Sequence, residues 1–150
     1  MKPMLTVALM AMAAMAQAED WTMPWQKDAS FAAYSTTAES ITGDISIRGT
    51  DSEKVLTTGT GTEIALTFVE DRSSGWNLND NEVWPGGVFA ITQDPGKLVN
   101  DNTLCGADPA TYLVFTPLDD ALLQMAVFSG AAPENIESPG LCGTYNYSIE

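Results

Sequence analysis

Two Leu-Cys-Gly triplets, at residues 104–106 and 141–143, hold the only cysteines of the chain, Cys105 and Cys142, and each leads into a β-forming run, TYLVF after the first and TYNYSI after the second. A thiol is reactive as a thiolate, which needs a histidine or a nearby cation to lower its pKa. Histidine is absent. With it go the commonest general base, the commonest zinc ligand and the usual partner of a serine nucleophile. No Gly-x-Ser-x-Gly elbow, phosphate loop or dinucleotide fingerprint occurs. The 20 acidic residues could in principle run glycoside hydrolysis through a carboxylate pair, but no spacing singles one out. Adjacent Asp119 and Asp120 diverge in either a strand or a turn. The expectation is therefore no catalytic residue, no metal site and no cofactor.

The one stretch with binding chemistry is WNLNDNEVWPGG, residues 76–87, which is polar, punctuated by Gly and Pro, and carries two of the four tryptophans. As a loop it would offer Trp76 and Trp84 as aromatic platforms, with Asp80 and Glu82 beside them as steering charges. The alternative is that one tryptophan plugs the end of a barrel while the loop only connects two strands. Asn77, Asn79, Asn81 and Glu82 resemble part of a calcium loop, yet the leading Asp, the central Gly and the distant bidentate Glu are missing.

The N-terminus, MKPMLTVALMAMAAMAQAED, places one cation, Lys2, before a small and apolar run and then Ala16-Gln17-Ala18 before the first acidic residue. That is the layout of a secretory signal peptide covering residues 1–18, and its apolar run falls short of the roughly 20 residues a membrane span needs. Residues 19–150 then form a single exported domain, periplasmic or secreted, of a size that one hydrophobic core serves. Without Lys2 that domain has five cations against 20 carboxylates, a formal charge of 5 − 20 = −15. Such a field repels nucleic acid and anionic membranes and leaves a basic protein or a dissolved cation as the partner it would suit.

Export to an oxidising compartment also settles the cysteines, since two of them can pair in only one way. A Cys105–Cys142 bridge closes a loop of 37 residues, which in the chain-entropy model is worth about 4 kcal/mol. The rest of the chain alternates with period two. Ile41, Gly43, Ile45 and Ile47 share one face of ESITGDISIRG, and Ile64, Leu66 and Phe68 one face of TEIALTFVE. GGVFAIT, TYLVFT, LLQMAVF and GTYNYSI are further strands, with SFAAYST and KVLTT as weaker ones. PLDDALLQMAVF has a partial helical stripe but reads better as a hairpin, because Pro117 and two aspartates punctuate apolar runs of strand length. The expected fold is all-β: about eight antiparallel strands in a small meander barrel or sandwich, with one disulfide.

LVNDNTLCG, TYLVF, LLQMAVFSG and LCGTYNY, with the earlier SITGDI, resemble a group of small exported proteobacterial proteins of unassigned activity. The resemblance implies export, the disulfide and a β fold, and carries no function. Three functions are compatible with these expectations. The first is a non-enzymatic protein-binding module, such as an inhibitor of a cationic hydrolase; the second is a lipocalin-like carrier of a small apolar ligand. The third is a carboxylate-type hydrolase. A filled barrel would weigh against the carrier, and two carboxylates facing one groove would favour the hydrolase.

Overall fold

Eight antiparallel strands follow one another in chain order and close into a barrel. They are β1 (Ala29–Ala33), β2 (Ile45–Gly49), β3 (Glu53–Thr57), β4 (Glu63–Asn79), β5 (Glu82–Ile91), β6 (Tyr112–Pro117), β7 (Leu122–Phe128) and β8 (Leu141–Ile149). This computed structural model describes residues 23–79, 82–118 and 121–149, without the side chains of 73–75, 77–79 and 82–84. The expected signal segment, residues 1–18, lies outside the described residues, as does Asp80. Each strand pairs with its sequence neighbours, and β1 closes the circle on β8 through Phe31↔Ile149 and Ala33↔Tyr147. The all-β expectation holds, and of the two architectures the chain adopts the barrel.

Period-two patterning fills the interior. Phe31, Ile45, Ile47, Leu56, Ile64, Leu66, Phe89, Leu113, Phe115, Leu123, Met125, Val127, Tyr145 and Tyr147 are buried together in one cluster. An eight-stranded barrel is just wide enough for side chains to fill it, and here aromatic rings take up much of that space. The predicted hairpin is present, with β6 and β7 in register from Tyr112↔Phe128 to Pro117↔Leu123.

One end is closed by a short helix, α1 (Thr36–Ile41), that the period-two reading did not anticipate. Ser35 caps it, its Oγ accepting from the Ala38 N–H at 3.2 Å, and Glu39 lies in the first turn where the helix dipole favours an acid. Ile41 therefore ends a helix. The strand predicted from that position begins at Ile45, after Gly43 turns the chain at φ +65°. Behind α1, the Thr42 hydroxyl and the buried Tyr147 hydroxyl share a hydrogen bond of 2.7 Å. Asn102 Nδ2 donates to the Ser40 carbonyl at 2.9 Å and brings the loop before β6 against the helix. Cys105 and Cys142 are bridged, with Cα atoms 5.0 Å apart, so the same loop is fastened to the start of β8. Tyr145 donates to the Leu104 carbonyl at 3.2 Å beside the bridge.

The longest departure from expectation is the segment read as a binding loop. Residues 76–79 belong to β4 and residues 82–87 to β5, which pair as a hairpin. Arg72 pairs with Gly86 and Asn77 with Trp84, so residues 73–76 of β4 oppose the single Pro85 of β5. Proline has no N–H to donate to a ladder, and the register shifts where it stands. The bulge turns Trp76 onto the outer face of the barrel. There it packs with Val88, Val114, Ala126 and Phe128 as a second, smaller core.

Candidate functional site

Of the residues singled out as a partner-binding patch, Trp76 is 0% exposed. Its ring meets Phe128 edge-on at 5.8 Å between centroids, and its carbonyl accepts the Ile136 N–H at 2.9 Å from the loop that crosses over it. Trp76 is thus a core residue and not a platform. The cause is the bulge opposite Pro85, which polarity and turn residues do not reveal. The backbones of Trp84 and Glu82 pair with Asn77 and Asn79 near the hairpin end, while their side chains and Asp80 fall outside the described residues.

The tryptophan that plugs the barrel is Trp25. It stands on a 3-10 turn, Pro24–Gln26, before β1, fixed by a hydrogen bond of 2.6 Å from the Met23 N–H to Gln26 Oε1. Its indole is 2% exposed and stacks on Phe115 with a centroid distance of 6.1 Å and an interplanar angle of 23°. Phe115 meets Phe89 edge-on at 5.7 Å, and Phe89 meets Phe68 at 5.5 Å. Four rings in succession therefore line this end of the barrel, opposite the end covered by α1.

Beside that series is a pocket of about 260 Å³ lined by Trp25, Gln26, Asp51, Ser52, Lys54, Phe68, Asp71 and Phe89. Lys54 is its unexpected member. On β3 it shares the inward face with Leu56, two residues on, because alternate residues of a strand point the same way. Its cross-strand neighbours are Gly49 and Leu66. Gly49, at φ +129°, accepts no side chain, since a Cβ there would collide with the Glu53 carbonyl oxygen and lie 2.9 Å from the Lys54 Cα. Lys54 is 3% exposed, and among the described residues it is the one charged side chain that is buried. Its Nζ has no hydrogen-bond partner among the described residues. An ammonium group has three donors and loses much hydration on burial, so an empty coordination is costly.

Asp51 and Asp71 line the same pocket, but both are solvent-exposed and neither pairs with Lys54. They are two exposed carboxylates at a pocket that the buried Lys54 also lines. Two carboxylates at one groove meet half of what a hydrolase needs. Division of labour between acid and base also requires environments that differ, and both of these lie in water. Among the described residues no group of three or more His, Cys, Asp or Glu side chains is placed to hold a metal ion.

The other cations are distributed differently. Arg72 Nη2 contacts Glu70 at 2.8 Å and donates to the Pro133 carbonyl at 3.3 Å. Lys27, Arg48 and Lys97 are exposed. Tyr34 is the most exposed large aromatic among the described residues, at 64%. Sequence reasoning missed Lys54 because KVLTT is a weak strand pattern and a lysine ordinarily faces water. The signal available was its two-residue spacing from Leu56.

Comparison with protein-family models, with curated proteins and with solved structures finds no match to this chain.

Proposed function

We propose that the protein is a non-enzymatic binding module of an oxidising, extracytoplasmic compartment, and that its partner is a basic protein such as a cationic hydrolase. The observation that carries this reading is the separation of charge between surface and interior. No described carboxylate is buried, whereas one of the five cations of residues 19–150, Lys54, is withdrawn into the barrel. A second cation, Arg72, is engaged by Glu70. That pair cancels one charge of each sign, so it is the burial of Lys54 that leaves the exterior more acidic, and a field of that sign attracts a cationic partner from a distance. The disulfide is compatible with the proposed compartment.

The filled interior weighs against a carrier of large apolar ligands, because the rings of Phe31, Phe89, Phe115, Tyr145 and Tyr147 occupy the space such a ligand would need. With Trp76 inside the fold, the anchoring role passes to Tyr34, and Trp84 near the hairpin end is the second position to test. The test is capture from envelope extract or host secretions on the immobilised, oxidised protein at low and physiological salt. A basic protein retained at low salt, and released faster from the Tyr34→Ala or Trp84→Ala variant than from the unaltered chain, supports the reading. Recovery of a small apolar molecule with no salt-sensitive protein would replace it with the carrier.

A further inference from the structure

We infer that the pocket between Trp25 and Lys54 is a binding site for a small organic molecule with one carboxylate and an apolar body. The site stands independently of the protein-binding reading, since it concerns the inside of the barrel end and not the acidic exterior.

Three features of the pocket define the ligand. Lys54 is one of its lining residues, 3% exposed, and its ammonium lies beneath the pocket surface with no hydrogen-bond partner among the described residues. A lysine buried in this way has donors and no acceptor, and what would complete it is an oxygen anion entering the adjoining space. Its walls are the rings of Trp25, Phe68 and Phe89, so the anion must be attached to apolar or aromatic atoms that cover these faces. Its rim is Asp51 and Asp71, two carboxylates that repel an anion of higher charge at the entrance. The volume of about 260 Å³ lies just below the usual range for drug-sized ligands and fits a compact molecule.

The fold keeps this space open by design of its surroundings. The indole of Trp25 is held to the far side by stacking on Phe115 and by Gly87, where a Cβ would come within 2.7 Å of the indole nitrogen. A salt bridge from Asp51 or Asp71 would have satisfied Lys54 internally. Both carboxylates stay at the rim instead, and the ammonium is left for a ligand.

The experiment is titration of the full, oxidised protein with phenylacetate, with phosphate and citrate as comparison anions. Calorimetry should show saturable, one-to-one binding of phenylacetate below about 10 mM, and at least about tenfold weaker binding of phosphate and citrate. In Lys54→Met, which keeps the length of the stem and removes the charge, phenylacetate affinity should fall at least about tenfold. Magnetic resonance of the unaltered protein makes the result independent of how that variant folds. The Trp25 indole N–H and the Lys54 side chain should shift along one saturating curve. Absence of saturable phenylacetate binding, equal affinity in Lys54→Met, or shifts that spare both Trp25 and Lys54 would each overturn the site.

Discussion

Gly87 of β5 and Trp25 of the turn before β1 fit as one unit: a Cβ on Gly87 would lie 2.7 Å from the Trp25 indole nitrogen and 2.8 Å from Cε2. Gly86, its neighbour in the strand, stands in the same relation to Trp76 on the opposite face, where a Cβ would approach Cγ to 2.8 Å. Successive strand residues face opposite sides, so this glycine pair admits one indole inside the barrel and one outside. Two cores are set by two missing side chains.

Alanine at either glycine should therefore destabilise the fold through overpacking, by about 1–3 kcal/mol. Gly87→Ala should disturb Trp25 and Gly86→Ala should disturb Trp76, each visible in near-ultraviolet circular dichroism and in urea unfolding. In a double-mutant cycle, Trp25→Phe should recover part of the loss from Gly87→Ala and none of the loss from Gly86→Ala. Strict additivity for the Gly87–Trp25 pair would show that the contact is not what excludes a side chain there.

Lys54→Met should raise the unfolding free energy of the ligand-free protein, by about 1–3 kcal/mol, because it replaces an unpartnered buried charge with an apolar stem of similar length. Urea denaturation without added carboxylates measures this. A loss of stability would mean that the ammonium is already satisfied within the fold.

Removing the disulfide in the Cys105→Ala, Cys142→Ala double variant should cost about 2–4 kcal/mol. The bridge fastens the loop before β6 to the start of β8, next to the hydrogen bond from Tyr145 to Leu104. Amide exchange should therefore quicken first in residues 98–110 and at the start of β8. Uniform loosening of the barrel would contradict a local staple.

Alkaline pH should weaken the fold through its two buried tyrosines. Burial pushes the Tyr145 hydroxyl up to about 12. Burial raises Tyr147 as well, against the opposing influence of its hydrogen bond with Thr42 and with a smaller contribution from Tyr145. The folded state keeps these protons when the unfolded chain has begun to lose them near pH 10, so the tyrosines favour folding fully below that pH and progressively less above it. Each should remove about 1.4 kcal/mol per pH unit above about pH 10 until its own folded pKa is reached. Unfolding midpoints between about pH 8 and 12 read this directly, and Tyr145→Phe should reduce the slope by about one proton's worth.

The legible part of the fold was whatever repeats with period two or is exclusive by count. Strands carrying Ile64, Leu66 and Phe68, the β6–β7 hairpin and the single cysteine pair follow from those signals. Helix α1 was hidden because six residues give no helical period, although Ser35 and Glu39 mark a start. Pro85 reads as part of a loop, and Gly86 and Gly87 fall both in that loop and at the start of the strand read from GGVFAIT. In this chain they belong to β5, the proline at a bulge and the glycines under two indoles. For the site, Trp76 was chosen by its polar neighbours, but long-range packing against Phe128 decides its place. The two-residue spacing of Lys54 from Leu56 puts it on the inward face of β3, but that the charge is buried there depends on barrel closure, which that spacing does not contain.

Recruitment of a basic protein by the acidic exterior is tested most directly by the association rate of the captured partner as a function of salt. Stopped-flow or surface-plasmon measurements at low salt and at physiological salt, where the screening length falls to about 8 Å, separate association from dissociation. Association should slow at least about tenfold across that range while dissociation changes little. An association rate that is the same at both salts would contradict it.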